Sequence, residues 1–189
     1  MANGVVGVHV VVPGFKPWNE TTKARRWPSR LEGGTAGQGL VLVDSGLGLK
    51  DVDSPERTIG RQFLLFANPV RDPNETAVRQ VEALGFSRDD VRHVVLTHCD
   101  LDHAGGIADF PKATVHVHAA EHDAALHPRT QLERTRYVRA HFAHDPKWAV
   151  YRPSGEPWFG FEAVRDLSGL PPEILLIPLH GHTRGHSGV

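Results

Sequence analysis

The sequence predicts an α/β fold, and two kinds of pattern indicate it. Three short apolar runs, at residues 40–43, 94–96 and 174–179, have the length and composition of strands buried on both faces. Between the first two runs, residues 74–84 carry apolar side chains at helical spacing. Buried strands that alternate with amphipathic helices are typical of layered α/β structures.

Length and composition favour a single domain over residues 1–189. The hydrophobic share of 40% and the charged share of 23% are ordinary for a globular protein of this size. Lys plus Arg (21) nearly balance Asp plus Glu (22), so the net charge of −1 indicates neither a nucleic-acid partner nor a membrane surface. The unusual feature is histidine, with 13 residues.

The N-terminal third contains two predicted strands and an irregular segment. Residues 5–12 are predicted to form a strand that Pro13 and Gly14 end. Residues 15–39 mix tryptophans with basic side chains, which fits either an anion-binding surface or an exposed loop. Asp44 follows the predicted strand at 40–43 and so lies at its carboxyl end, where ligand sites of α/β proteins are common. A role in capping the turn before Gly46 fits Asp44 nearly as well.

The clearest predicted helix covers residues 74–84. Asn74 is a suitable N-cap, Ala77, Val78 and Val81 lie on one face, and Gly85 ends the helix. We interpret this helix as core packing without a chemical role.

Four side chains that bind metals follow the apolar run at 94–96 almost at once: His98, Asp100, Asp102 and His103. In an extended segment residues i and i+2 point the same way, so the first three of these are expected to converge while His103 points elsewhere. A polar, solvated loop is the alternative, but this density of ligands directly after a buried strand favours a metal site.

Beyond this cluster the pattern returns to ordinary packing. Residues 114–118 alternate in polarity, which predicts a half-buried strand with His116 and His118 facing solvent. Residues 119–126 and 131–142 are predicted helices, the second with Leu132 among its apolar positions. Its arginines at 134, 136 and 139 could line an anion pocket, although a solvated face is the default interpretation.

The compartment is expected to be the cytoplasm. A single cysteine, Cys99, excludes an internal disulfide and is predicted to be buried and inert. The first residues lack the basic stretch and apolar core of a signal peptide, and no run has the length of a membrane span.

Three segments together resemble the metallo-β-lactamase superfamily. Residues 98–103 (His-Cys-Asp-Leu-Asp-His) are similar to its His-x-His-x-Asp-His motif, which follows a strand. Residues 40–46 resemble its apolar strand ending in Asp-x-Gly, and residues 181–186 resemble its Gly-His-Thr-x-Gly-His segment. The segments occur in the family's order and span most of the chain.

The resemblance implies an αββα sandwich and a hydrolase with two divalent metal ions, most simply zinc. One ion would be bound by His98, Asp100 and His182, and the other by Asp102 and His103 with further ligands. Asp102 would also orient the attacking water, and Asp44 would orient a ligand or loop behind the metal site. The substrate would be a small molecule with an ester, lactone, thioester or phosphoester bond.

Two departures from the family pattern qualify these expectations. Asp100 replaces the usual second histidine, and an oxygen ligand shifts metal preference towards iron or manganese. The sequence ends shortly after His186, before the family's bridging aspartate and last histidine. We therefore expect a chain truncated in the second half of the sandwich, which could self-associate through an uncovered sheet. Two alternatives to a hydrolase stay open: a metal-binding fragment without turnover, and a di-iron oxidoreductase related to flavodiiron proteins.

Overall fold

A computed structural model describes residues 7–9, 39–152, 157, 159–161, 167–170, 172 and 174–189. Only the backbone is described at residues 7–9, Gln62 and Phe66. The predicted aromatic and basic segment at residues 15–38 lies outside this part of the chain. Within the described part, no helix has both the length and the apolar character that crossing a membrane requires.

The central element is a five-stranded parallel sheet whose strands lie in chain order. Its strands are β1 (Gly7–His9), β2 (Leu40–Val43), β3 (Val91–Val95), β4 (Thr114–His118) and β5 (Lys147–Tyr151). Two short strands, β6 (Ile177–Pro178) and β7 (Ser187–Gly188), form a separate antiparallel pair. The predicted α/β class is confirmed.

Short helices connect the strands of the large sheet. They are α1 (Leu49–Asp53), α2 (Pro55–Thr58), α3 (Arg61–Ala67), α4 (Ala77–Ala83), α5 (Leu101–Ala104), α6 (Ala119–Leu126), α7 (Gln131–Arg136) and α8 (Arg139–Phe142). Three 3₁₀ turns lie at Pro73–Glu75, Arg88–Asp90 and Gly105–Asp109.

Buried apolar side chains lie on both faces of the sheet, as the apolar strands β2 and β3 predict. Leu42 and Val94 pack on one face with the helix residues Val78 and Val81, and all four are fully buried. On the other face, Val95 packs with Leu167, Leu170 and Leu176, together with Val41. Because successive strand residues point to opposite faces, apolar runs at β2 and β3 supply both cores.

The start of the helix after residue 72 differs from the prediction. Asp72, rather than Asn74, provides the cap: its carboxylate accepts a hydrogen bond from the Asn74 backbone N–H at 2.9 Å. Pro73 opens a 3₁₀ turn there, and α4 begins only at Ala77 after the N-cap Thr76. Proline suits the first position of a turn because it has no N–H to satisfy.

The predicted helix at residues 131–142 is interrupted. Tyr137 and Val138 adopt extended backbone between α7 and α8. Leu132 was expected on an apolar face but is 67% exposed. The interruption turns Tyr137 into the core, where it hydrogen-bonds a buried carboxylate, and this tertiary contact outweighs helical propensity.

The predicted exposure of His116 and His118 is wrong, because both side chains are buried. His116 lies between two partners: its Nε2 is 2.9 Å from His93 Nδ1 and its Nδ1 is 2.9 Å from the Tyr151 hydroxyl. With both ring nitrogens hydrogen-bonded, an imidazole can occupy a strand position that would otherwise need an apolar residue.

His116 makes the stability of the fold depend on pH. Burial, with a smaller contribution from His93, lowers the pKa of His116 to about 4. In the unfolded chain the pKa of a histidine is about 6.5, so between these values the unfolded state binds more protons. The stabilisation is complete above pH of about 6.5 and declines as the pH falls towards about 4, by about 2–3 kcal/mol.

We expect urea unfolding to detect this loss as a lower free energy of unfolding at pH 4.5 than at pH 7.5. The variant His116→Gln should show a smaller pH dependence, whatever its stability at neutral pH. His127→Gln, at an exposed position on the end of α6, should keep the dependence of the original chain. Equal pH dependence in His116→Gln and the original chain would contradict the assignment.

Candidate metal centre

The candidate site lies at the carboxyl ends of β2 and β3, in the loop that begins at Thr97 and enters α5. The loop is held by backbone hydrogen bonds to the end of β2, from Ser45 N–H to the His103 carbonyl (2.8 Å) and from Gly106 N–H to the Gly46 carbonyl (2.8 Å). A Cβ at Gly106 would lie 2.5 Å from the Ser45 carbonyl oxygen, so only glycine permits this approach.

Three predicted ligands converge from two distant segments. His98, Asp100 and His182 each offer one ligand atom, and these atoms lie within 4.8 Å of one another. Asp100 Oδ2 is 3.4 Å from His98 Nε2 and 3.3 Å from His182 Nε2. A nitrogen–nitrogen–oxygen set of this size suits a divalent transition metal.

The state of His98 fits a metal ligand. Its Nε2 is buried and has no hydrogen-bond partner, although buried polar atoms are normally hydrogen-bonded. Its Nδ1 lies 2.9 Å from the Thr97 hydroxyl, and that hydroxyl donates to Asp44 at 2.8 Å. The hydroxyl therefore accepts from Nδ1–H, which leaves the lone pair of His98 Nε2 directed at Asp100 and His182.

Asp102 and His103 form a neighbouring pair rather than joining the first group. Asp102 Oδ2 is 3.7 Å from His103 Nε2, and the ring centroids of His98 and His103 are 3.9 Å apart. The expectation that Asp102 converges with His98 and Asp100 assumed an extended segment. The segment is extended only as far as Asp100, because α5 begins at Leu101, and Asp102 lies outside the group formed by His98, Asp100 and His182.

Asp44 connects His103 with His98 through hydrogen bonds on the side away from their Nε2 atoms. Its Oδ2 accepts from the Thr97 hydroxyl and lies 2.8 Å from His103 Nδ1, while its Oδ1 accepts from the Thr97 backbone N–H at 2.8 Å. Asp44 thus contacts His103 directly and His98 through the Thr97 hydroxyl. Both imidazoles use Nδ1 for these contacts, which leaves Nε2 of each ring available to a metal. Its backbone has a φ of 57°, a left-handed conformation that is uncommon outside glycine.

Burial and the neighbouring charged groups act in opposite directions on the pKa of Asp100 and on that of His103. Burial alone raises the pKa of Asp100, but the adjacent His98 and the positive charges of Arg136 and His182 lower it overall. Burial alone lowers the pKa of His103, and the hydrogen bond and charge of Asp44, with the charges of Asp102 and Asp100, raise it overall.

Sequence reasoning did not identify Glu121, which is fully buried on α6. Its carboxylate accepts from the Cys99 backbone N–H (2.9 Å) and the Tyr137 hydroxyl (3.0 Å) on one oxygen. The other oxygen accepts from the Thr183 hydroxyl (2.7 Å) and the Gly185 backbone N–H (2.9 Å). Glu121 therefore joins the loop of His98 to the loop of His182. In the sequence, the only sign of this role is an acidic side chain in an alanine-rich helical stretch.

The other sequence candidates have ordinary surroundings or lie at the margin. Cys99 is buried, and burial raises the pKa of its thiol well above the usual range, as expected for an inert thiol. The His186 ring centroid lies 5.1 Å from that of His98, but its Nδ1 is 3.2 Å from the Leu179 carbonyl oxygen. His180 lies beside His118 instead, with ring centroids 5.3 Å apart.

Known proteins are similar to this chain in sequence and in fold. A probable metallo-hydrolase of Mycobacterium tuberculosis is 49% identical over 151 residues, which cover 80% of this chain and 48% of that protein. The N-acyl homoserine lactonase AttM of Agrobacterium fabrum is 45% identical over 90 residues, 48% of this chain and 34% of the lactonase. The chain therefore spans about half the length or less of these relatives.

Among solved structures, an N-acyl homoserine lactone hydrolase with a product bound at its catalytic metal centre superimposes with a TM-score of 0.56 at 21% identity. The superposition covers 78% of this chain and 51% of the hydrolase, and it establishes a shared fold. The profile of the metallo-beta-lactamase superfamily matches residues 34–189, which include the candidate metal centre. The chain therefore belongs to the metallo-β-lactamase superfamily.

Proposed function

We propose that the protein is a metal-dependent hydrolase that opens the ring of a lactone. The convergence of His98 Nε2, Asp100 Oδ2 and His182 Nε2, with the first of these buried and without a hydrogen-bond partner, carries the proposal of metal binding. The lactone as substrate rests on the relatives named lactonase and on the bound product of the structural neighbour. Esters, thioesters and phosphoesters are the wider class.

Two metal ions are proposed, the second beside Asp102 and His103. Divalent ions bound there would polarise the carbonyl oxygen of the substrate and lower the pKa of water. In the described part of the chain, Asp102 and His103 are a pair, so further ligands for the second ion would come from elsewhere. Zinc suits the two histidines of the first group, while Asp100 makes iron or manganese acceptable.

The residues of the chain would have distinct tasks. Asp44 would fix both imidazoles so that His98 and His103 offer Nε2, which keeps the ligand set ready before metal arrives. Asp102 has a half-buried side chain at the rim of the cluster, and its carboxylate would orient the attacking water and accept its proton.

A substrate screen tests the proposal. The chain, loaded in turn with zinc, manganese and iron(II), would be incubated with an N-acyl homoserine lactone, an ester, a thioester and a phosphodiester. We expect ring opening of the lactone, followed as proton release, and its complete loss after EDTA treatment. Asp102→Asn should lower kcat by about 100-fold, the size expected for loss of a proton-accepting group.

Two results would contradict the proposal in different ways. Zinc bound by the chain without hydrolysis of any of these substrates would support a metal-binding fragment without turnover. Activity that survives EDTA would place the chemistry outside the metal centre. His127→Gln, on the exposed end of α6, serves as the control that should retain activity.

A further inference from the structure

Arg136, the last residue of α7, reaches the candidate metal centre from a third segment of the chain. Its Nε lies 3.3 Å from Asp100 Oδ1, and its Nη1 donates a hydrogen bond to the His182 carbonyl. The side chain is 23% exposed, whereas Arg134 and Arg139 near it in sequence are exposed residues. Arg136 thus contacts both of the segments that supply the three candidate ligands.

The two oxygens of Asp100 have separate partners. Oδ1 is buried and forms an ion pair with Arg136 Nε at 3.3 Å without a hydrogen bond, and Oδ2 faces the Nε2 atoms of His98 and His182. A carboxylate held this way offers one oxygen to a metal rather than two. Its negative charge is also balanced locally, so the pair Asp100–Arg136 has the net charge of the neutral histidine that the family motif usually has at this position.

The loop of His182 depends on the same helix. Besides the bond from Arg136 to the His182 carbonyl, Arg184 contacts Glu133 on α7 (3.2 Å) and Asp123 on α6 (3.0 Å). The loop is therefore fixed at His182 and again at Arg184, and Arg136 supplies the contact at the ligand residue itself.

We propose that Arg136 is a positioning residue that makes Asp100 a charge-balanced, one-oxygen metal ligand and fixes His182 beside it. This inference rests on the metal centre of the proposed function but assigns a residue that the family motif does not contain. The competing role for Arg136 is to bind an anionic group of the substrate. In that case its removal would change substrate binding and leave metal binding by Asp100 unaffected.

The proposal predicts that the effects of Arg136 and Asp100 on zinc affinity are coupled. In the original chain, Arg136→Gln should weaken zinc affinity about 10-fold, because Asp100 and the His182 loop lose their partner. In the Asp100→His background, the guanidinium faces a metal site without its carboxylate and repels the cation. There, the same Arg136→Gln change should weaken zinc affinity much less, because the relief of this repulsion offsets the lost contact with the His182 carbonyl.

Zinc affinity would be measured by competition with a chromophoric chelator, and unfolding in EDTA would show that each variant is folded. Arg136→Lys, which keeps the charge but not the planar fork, should lie between Arg136→Gln and the original chain. Arg134→Gln, from the exposed side of α7, should leave affinity unchanged. Equal effects of Arg136→Gln in both backgrounds, or no effect in either, would overturn the proposal.

The failure of this proposal is distinguishable from failure of the proposed function. If Arg136→Gln changes KM for the lactone but not zinc affinity, Arg136 contacts substrate and the positioning role is wrong, while the hydrolase stands. If the coupling is found but no substrate is hydrolysed, the positioning role stands and the hydrolase fails. If the original chain binds zinc no better than His98→Ala, both fail together.

Discussion

Replacing His98 by alanine should abolish tight zinc binding by this chain. His98 is the most buried ligand of the group, and its Nε2 is a buried polar atom without a hydrogen bond. Structural zinc sites bind with apparent free energies of about 10–16 kcal/mol, so one ligand in about four contributes about 3–4 kcal/mol. Because each 1.4 kcal/mol is a factor of ten, zinc affinity should fall by about 100- to 1000-fold.

Competition with a chromophoric chelator at pH 7.5 measures this loss. Zinc at 100 times its dissociation constant should also stabilise the original chain by about 2.7 kcal/mol, and this increment should vanish in the variant. His127→Ala removes an exposed histidine and should change neither quantity. If His98→Ala and His127→Ala bind zinc alike, the cluster is not a metal site.

The helices and strands that were predicted well are those determined by the pattern of neighbouring residues. β2, β4 and α6 have the predicted bounds, because apolar runs, alternation and helical spacing are properties of neighbouring residues. The candidate ligands His98, Asp100, His103 and His182 were identified by type and by family resemblance, and the structure brings them close together. Their role as ligands stays a prediction.

What sequence reasoning missed depends on contacts between distant residues. The burial of His116 requires His93 and Tyr151 from two other strands, and the interruption at Tyr137 requires the carboxylate of Glu121. The extended backbone that was assumed for the whole motif ends at Asp100, because α5 begins at Leu101. Periodicity cannot reveal a partner that lies tens of residues away in the sequence.

Replacing Glu121 should have the largest effect on the stability of the fold. Four donors from three segments converge on its buried carboxylate, and two of them are the backbone N–H groups of Cys99 and Gly185. Glu121→Ala leaves all four without this acceptor, and a buried donor without a partner costs about 1–3 kcal/mol. We expect the free energy of unfolding to fall by about 4 kcal/mol or more, a large part of the total of about 5–15 kcal/mol.

Glu121→Gln is the sharper variant because it keeps the shape. An amide presents an acceptor oxygen to one pair of donors but its own N–H groups to the other pair, so two donors face a donor. Urea unfolding in EDTA should show a loss of about 2–3 kcal/mol, since a buried donor left without its acceptor costs about 1–3 kcal/mol. Zinc affinity should fall as well, because the loops of His98 and His182 are no longer joined.

An exposed carboxylate provides the matched control. Glu82→Gln removes a charge that pairs with Arg79 on the surface of α4, and such pairs contribute about 0–1 kcal/mol. A free energy of unfolding for Glu121→Gln within about 0.5 kcal/mol of the original chain, the range of ordinary surface substitutions, would show that the carboxylate does not hold the two loops. Lost stability with unchanged zinc affinity would show that Glu121 supports the fold but not the arrangement of the ligands.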